Sequence, residues 1–299
     1  MDDKILTILT PTYNRKNFLK RLYDSLCKQT VMEFEWLIID DGSTDGTEQL
    51  VQTFENRMFQ VNYVKKENGG KHTAINVSHD FIHGELVLIV DSDDALTDNA
   101  VNRILYFYEK YKTNLKVACW SFLKEDWNCQ MPKKVQKKQE RISNYVSYRI
   151  NKHIIGDCAE VIRTDVLKKY DFPVVKSERF MLESWLWNQM ALDGYDTVYI
   201  DEVIYKFEYL QDGLTKSARK LRMQNPIGSM IDAKQYLINP HVCLLVKIKM
   251  MLLFWVYGFC SHMNFFEIAK QSGQKAKMLF VLPAGYILYR IWERKYLYD

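Results

Sequence analysis

The sequence predicts an α/β fold, a doubly wound and mainly parallel sheet, followed by a helical C-terminal region that is both basic and apolar. Three observations carry this expectation. Short apolar runs alternate with segments of helical periodicity through the first two thirds of the chain. One run, Leu86-Val87-Leu88-Ile89-Val90, is unbroken, as strands buried on both faces of a parallel sheet are. Charge is also divided: residues 216–299 hold 13 Lys and Arg against 4 Asp and Glu, a net +9, which leaves the first 215 residues at −5. We therefore expect a sheet domain over 1–215 and a helical region over 216–299.

Taken in order, Ile5–Leu9 reads as a strand, and Phe18, Leu19, Leu22 and Leu26 mark one face of the helix behind it. Trp36–Ile39 is the next strand, followed by a helix over 47–54, a strand over 61–65 and a helix over 71–81. The strand Leu86–Val90, a helix over 99–111 and a strand over 117–122 continue the alternation. Residues 124–145, with Lys133, Lys134, Lys137 and Lys138 among polar neighbours, read as an exposed loop. A strand near 158–162, helices near 164–170 and 181–192, and two strands at 197–200 and 203–207 complete the domain.

The chain has 299 residues, 47% of them apolar and 26% charged, enough to bury a sizeable core and unlike the composition of a disordered chain. Cys27, Cys119, Cys129, Cys158, Cys243 and Cys260 are scattered with no CxxC pair, so neither a zinc ribbon nor a disulfide framework is written here, and a reducing compartment is expected. Met1-Asp2-Asp3-Lys4 is acidic and is followed at once by a short strand-like run in place of the longer apolar core of a signal peptide, so no secretory signal is expected.

Ligands of doubly wound sheets sit beyond the carboxyl ends of the strands, so the residues after each apolar run matter most. Thr10-Pro11-Thr12-Tyr13-Asn14-Arg15 follows the first, Asp40-Asp41-Gly42-Ser43-Thr44-Asp45 the second, and Asp91-Ser92-Asp93-Asp94 the fourth. No GxGxxG follows the first strand and no GxxxxGK[ST] occurs, which excludes a dinucleotide fingerprint and a P-loop. Asp91-x-Asp93 crowds two carboxylates at a strand end, where each raises the pKa of the other unless a cation intervenes. An oxygen-only site of this kind suits Mg²⁺ or Mn²⁺.

Together with Asn68-Gly69-Gly70-Lys71-x-x-Ala74-x-Asn76, these motifs resemble those of the family 2 inverting glycosyltransferases, which have the nucleotide-sugar-binding GT-A fold; the resemblance runs from Ile5 to about Leu214. It implies that Pro11 and Tyr13 line a nucleoside pocket, with the Tyr13 ring on the base, and that Asn14 belongs to the same donor-binding set. It implies that Asp41 reads the uracil edge, that Asp91 is the ribose-side acid, that Asp93 is the metal ligand, and that Lys71 lies near the diphosphate or donor sugar.

Farther along, Arg179-Phe180-Met181-Leu182-Glu183-Ser184-Trp185 is similar to the segment holding the family's catalytic base, often written Glu-Asp. Ser184 replaces the second acid, so Glu183 is the expected base and Glu178 the runner-up. Trp185 and Trp187 are candidates for an acceptor-sugar floor or for core. Residues 209–215 occupy the place of a loop that closes over the donor in related enzymes, with Asp212 standing where some members supply a metal-binding His. His79 and His83 have a zinc-compatible spacing but no third ligand near them, and read as a surface helix face.

The resemblance implies transfer of a sugar from a UDP-sugar to a lipid-linked or polysaccharide acceptor, with inversion. Two alternatives remain. A sugar-nucleotidyltransferase would share sheet, acids and cation, but Thr10–Arg15 lacks that class's Gly-rich phosphate loop. A non-catalytic sugar-nucleotide-binding protein is favoured only by Ser184. No nucleic-acid partner is expected.

Two apolar runs lie in the basic region, Met250–Cys260 with 11 residues and Met278–Tyr289 with 12. Both fall short of the ~18–20 apolar residues that span a bilayer. With Lys247 and Lys249 inside the apolar stretch from Val242 to Cys260, and Arg290, Arg294 and Lys295 closing the second patch, the region is expected to lie on the inner face of the cell membrane as a peripheral attachment. A helical subdomain packed on itself is the alternative.

Overall fold

The computed structural model describes residues 4–54, 58–127, 139–154, 156–208 and 218–297. In chain order the first elements are β1 (Leu6–Thr12), α1 (Lys16–Leu26), β2 (Phe34–Asp40), α2 (Thr47–Val51), β3 (Gln60–Lys65), α3 (Lys71–Ser78) and β4 (Leu86–Ile89). There follow β5 (Ala95–Leu96), α4 (Ala100–Tyr111), β6 (Val117–Asp126), β7 (Glu140–Ser143), β8 (Cys158–Arg163), α5 (Thr164–Leu167), α6 (Ser184–Leu192) and β9 (Asp196–Phe207). Five helices end the chain: α7 (Ala218–Gln224), α8 (Pro226–Ile238), α9 (Leu244–Cys260), α10 (Phe265–Gln271) and α11 (Lys275–Tyr296).

Two compact units emerge, and they do not follow a single cut after residue 215. One draws on residues 1–143, 156–171 and 195–209; the other on 144–155, 172–194 and 210–299. The segment carrying Glu178 and Glu183 thus groups with the C-terminal helices.

The first unit contains one sheet, ordered β3-β2-β1-β4-β8-β6-β9-β5, with β7 added on β9. β1 pairs in parallel with β2 from Leu6–Phe34 to Thr12–Asp40, and with β4 from Leu6–Leu86 to Leu9–Ile89. β2 pairs in parallel with β3, ending at Asp40–Lys65. These registers bring the carboxyl ends of four strands to one rim. Leu19, Leu22 and Leu26 of α1 are wholly buried with Ile8, Trp36, Ile38 and Leu88, so the apolar stripe read from the sequence does seat this helix on the sheet.

The sheet is mixed rather than mainly parallel. β8 enters antiparallel between β4 and β6, and β5 and β7 both pair antiparallel with β9. The two strands expected at 197–200 and 203–207 are one strand, β9, which runs parallel to β6 with register shifts near Phe122 and Leu123. Apolar runs report burial and say nothing of strand direction, so the antiparallel insertion left no mark in the pattern. The exposed segment expected over 124–145 begins and ends in strand, since β6 continues to Asp126 and β7 covers 140–143; Lys133, Lys134, Lys137 and Lys138 lie outside the described residues.

In the second unit α9 is the central helix. Phe254, Trp255, Val256 and Tyr257 are buried with Met230, Leu237, Ile268 and Met278. Trp255 Nε1 donates to Met278 O at 3.0 Å, and a Cβ on Gly285 would fall 2.7 Å from Trp255 Cβ, so glycine permits the close approach of α11 to α9. Most of the run Met250–Cys260, expected at a membrane, is therefore core: a helix apolar on every side is one that is buried. Among the described residues no helix is long and apolar enough to cross a membrane.

Candidate active site

The rim assembled by β1, β2, β3 and β4 holds most of the residues expected to bind a donor. Asp41 follows β2 and is 3% exposed. Its Oδ1 accepts from Lys66 Nζ at 2.5 Å and Gly69 N at 2.9 Å; its Oδ2 accepts from Asn68 Nδ2 at 3.1 Å and Gly70 N at 2.7 Å. Four donors fill the four lone-pair positions of the carboxylate. Asp41 thus fixes the loop between β3 and α3, and reading a uracil edge would require one of these bonds to be exchanged. Gly42 allows the loop to come this near, because a Cβ there would meet Asn68 N at 3.0 Å.

Asp40 is buried and tied down in the same manner, accepting from Ser43 N at 2.7 Å and Tyr63 Oη at 2.5 Å. Asn14 takes a left-handed backbone, φ 51°, and stitches β1 to the turn after β2: its N–H donates to Ser43 Oγ at 2.8 Å and its Oδ1 accepts from Thr44 N at 2.9 Å. Pro11 is buried within β1, and Tyr13 stands 46% exposed at the strand end, where its ring is open to a planar ligand.

After β4 come three carboxylates in four positions. Lys71, which opens α3, donates to Asp91 Oδ1 at 2.5 Å, and the Asp91 side chain stays 39% exposed. Burial works against ionisation of Asp91, but the Lys71 and Lys124 ammonium groups outweigh it and hold its carboxyl below the usual range. For Asp93 the balance falls the other way: burial, then the charge on Asp91, push its pKa up and outweigh the opposing backbone hydrogen bond and the Arg15 and Lys71 charges. Asp94 is pushed up to about 7 by burial and by Asp91, against the opposing hydrogen bond from Tyr205. Two adjacent acids that resist ionisation are chemically suited to a hard cation. Among the described residues no three His, Cys, Asp or Glu side chains converge on one point. A cation here would take one or two carboxylates, Asp93 first, and oxygens from its ligand.

Three residues that shape this acid loop were not singled out in the sequence. Tyr205 of β9 receives the Asp91 N–H at 3.0 Å and donates to Asp94 Oδ2 at 2.7 Å, and Lys124 Nζ lies 4.0 Å from the centre of its ring. Arg21 of α1 donates to Asp93 O and to Glu208 Oε2, the latter at 2.9 Å. Tyr205 is 114 positions from Asp91, a separation no local motif spans. Arg21, by contrast, lies on the predicted helix beside the first motif, where a basic side chain two turns from a strand end was a readable signal.

In the second unit Glu178 is 7% exposed and accepts from Ile227 N and Gly228 N, both at 2.7 Å, at the start of α8. It is a helix-terminus acceptor, complementary to the positive end of the helix dipole. Glu183 is partly buried at the N-terminus of α6, and its carbonyl accepts from Leu186 N at 3.0 Å. Next to it, Ser184 Oγ donates to Asp232 Oδ1 of α8 at 2.7 Å. Trp185 is 8% exposed with its ring centre 5.3 Å from that of Phe172, a core position, while Trp187 is only partly buried.

His79 pairs with Asp171 at 3.2 Å and His83 with Glu35 at 3.0 Å, so the two imidazoles serve separate partners. Asp212 and the rest of 209–215 lie outside the described residues.

Known proteins share the sequence family and the fold. Residues 7–171 match the family model described as Glycosyl transferase family 2. Glycosyltransferase GlyA of Streptococcus pneumoniae is 32% identical over 118 residues, 40% of this chain and 17% of GlyA, so the likeness spans under a fifth of that relative. Among solved structures, Staphylococcus aureus TarS 1–349 in complex with UDP-GlcNAc superposes with a TM-score of 0.65 at 20% identity, covering 94% of this chain and 81% of TarS 1–349. The Pyrobaculum calidifontis mannosyltransferase PcManGT, in complex with GDP-Man and Mn²⁺, gives 0.59 at 17% identity over 98% of this chain and 83% of that one. At such identities the two structures bear on the fold.

Proposed function

The chain belongs to glycosyltransferase family 2, and we propose that it transfers a sugar from a UDP-sugar to a lipid-linked or polysaccharide acceptor, with inversion at the anomeric carbon, in cell-surface polysaccharide synthesis. The observation that carries this reading is the acid loop: Lys71 against Asp91, with Asp93 left short of positive charge beside them. A divalent cation supplies the missing positive charge, and with the Lys71 ammonium it offers a nucleoside diphosphate a counter-charge. The UDP-GlcNAc bound by TarS and the Mn²⁺ bound by PcManGT support the choice of ligands.

In this mechanism Tyr13 stacks on the base, Pro11 and Asn14 shape the wall beside it, and Asp41 holds the 66–70 loop against the nucleotide. Asp91 serves the ribose side and keeps Lys71 aimed at the diphosphate. Mg²⁺ or Mn²⁺, held by Asp93, would neutralise charge on the departing diphosphate. Glu183 removes the proton of the acceptor hydroxyl as that oxygen attacks the anomeric carbon from the face opposite UDP, which inverts the configuration. The basic C-terminal region places the enzyme at the inner face of the cell membrane, near a lipid-linked acceptor.

A thermal-shift series with nucleotide-sugars tests the assignment, since a ligand that binds the native state raises its apparent stability. UDP-sugars with Mn²⁺ should raise Tm and be turned over. A chain stabilised by them that neither transfers nor hydrolyses the sugar would be a binding protein instead.

A further inference from the structure

We infer that the outer face of α11 is the surface that meets the bilayer, as a helix lying in the headgroup plane of an anionic leaflet; this rests on the membrane reading above and locates it. On α11, Met278 is wholly buried, Gly285 is closed against Trp255, and Glu293 is 8% exposed, so one side of the helix belongs to the core of its unit. The other side carries Phe280 at 88%, Ile287 at 60% and Ile291 at 56% exposure. Their spacing of seven and four residues is that of one helical face, and the line from Phe280 to Ile291 is about 16 Å long at 1.5 Å per residue. Between them the same face presents only Pro283 and Ala284, both exposed.

Charge identifies the occupant. Lys275 and Lys277 are exposed before the apolar line, and Arg290, Arg294 and Lys295 are exposed at its end. The helix's one acid, Glu293, is turned inward, where it accepts from Tyr289 Oη at 2.5 Å and pairs with Arg290 at 2.8 Å. An apolar line with basic groups at both ends and no outward acid matches anionic headgroups over an apolar interior, the arrangement of interfacial helices. A second copy of this chain would bring the same positive charge to the interface. The line belongs to α11: the aromatic side chains of α9 fill the core, and its exposed apolar residues, Leu244, Leu245 and Ile248, are confined to its first turns.

The test is co-sedimentation of the full chain with phosphatidylglycerol vesicles and with neutral phosphatidylcholine vesicles at low and high salt. Wild type should bind the anionic vesicles, and high salt should weaken but not abolish binding. The triple variant Phe280→Glu, Ile287→Glu, Ile291→Glu should lose about 100-fold in partitioning. Leu115→Glu, an exposed apolar residue of the other unit at 77% exposure, should bind as wild type does, and all variants should keep donor hydrolysis, which certifies their fold.

Wild type binding that the triple variant retains would overturn the assignment to α11 and leave the membrane reading standing. Wild type that ignores anionic vesicles would overturn both. A wild-type dimer in sedimentation equilibrium that the triple variant converts to monomer, with no vesicle binding, would make the face a contact between copies instead.

Discussion

The Lys71 ammonium lies 2.5 Å from Asp91 Oδ1, joining the first residue of α3 to the residue that follows the apolar run of β4. The pair is only partly shielded, with side-chain exposures of 30% and 39%. It can therefore be approached by a ligand, and a diphosphate that arrives finds a cation already oriented by a carboxylate.

Lys71→Met should lower turnover by about 100-fold, the usual scale for losing one preorganised group aimed at developing negative charge. UDP should also bind more weakly by calorimetry. Unchanged kcat in this variant would remove Lys71 from the diphosphate site.

Asp41→Ala leaves the partly buried Lys66 without its counter-ion and frees three other donors, so the loss should be about 3 kcal/mol in chemical denaturation. Asp41→Asn, which keeps one acceptor oxygen, should fall between. If Asp41→Ala unfolds at the wild-type midpoint and fails only to bind UDP, the acid reads the base and does not hold the loop.

The two glutamates should separate cleanly. Glu178→Gln should cost stability, about 1–3 kcal/mol from the lost charged acceptor at the start of α8, and leave turnover of the folded fraction near wild type. Glu183→Gln should lower kcat by about 100-fold with UDP affinity unchanged. The reverse pattern would move the base to Glu178.

Asp232 gives a stability signature. Burial raises its pKa from the ordinary 3.8 to about 6, with the Ser184 hydrogen bond opposing. Its protonated form is favoured in the folded state, so between those values the folded chain binds more protons than the unfolded one, and stability falls as pH rises through that window. Asp232→Asn should remove that fall, so that its advantage over wild type grows from pH 4 to pH 8 in urea unfolding. A pH-independent difference between the two would place Asp232 outside this linkage.

Much of the site was legible because parallel strands buried on both faces leave continuous apolar runs, and the residues following those runs are the ones the register of β1, β2 and β4 brings to one rim. What escaped depends on contacts between distant positions. Tyr205 reaches Asp91 and Asp94 from β9, and Asp232 reaches Ser184 across 48 positions. The Met250–Cys260 run was open to two readings because burial in a core and burial in lipid demand the same side chains; only packing around Trp255 separates them.

The most direct test of the donor site is UDP titration by calorimetry, with Mn²⁺ and with chelator, in wild type and Asp93→Asn. Mn²⁺ should tighten UDP binding to wild type, chelator should abolish the gain, and Asp93→Asn should bind UDP weakly in both buffers and turn over no donor. Full donor turnover by Asp93→Asn in chelated buffer would contradict this.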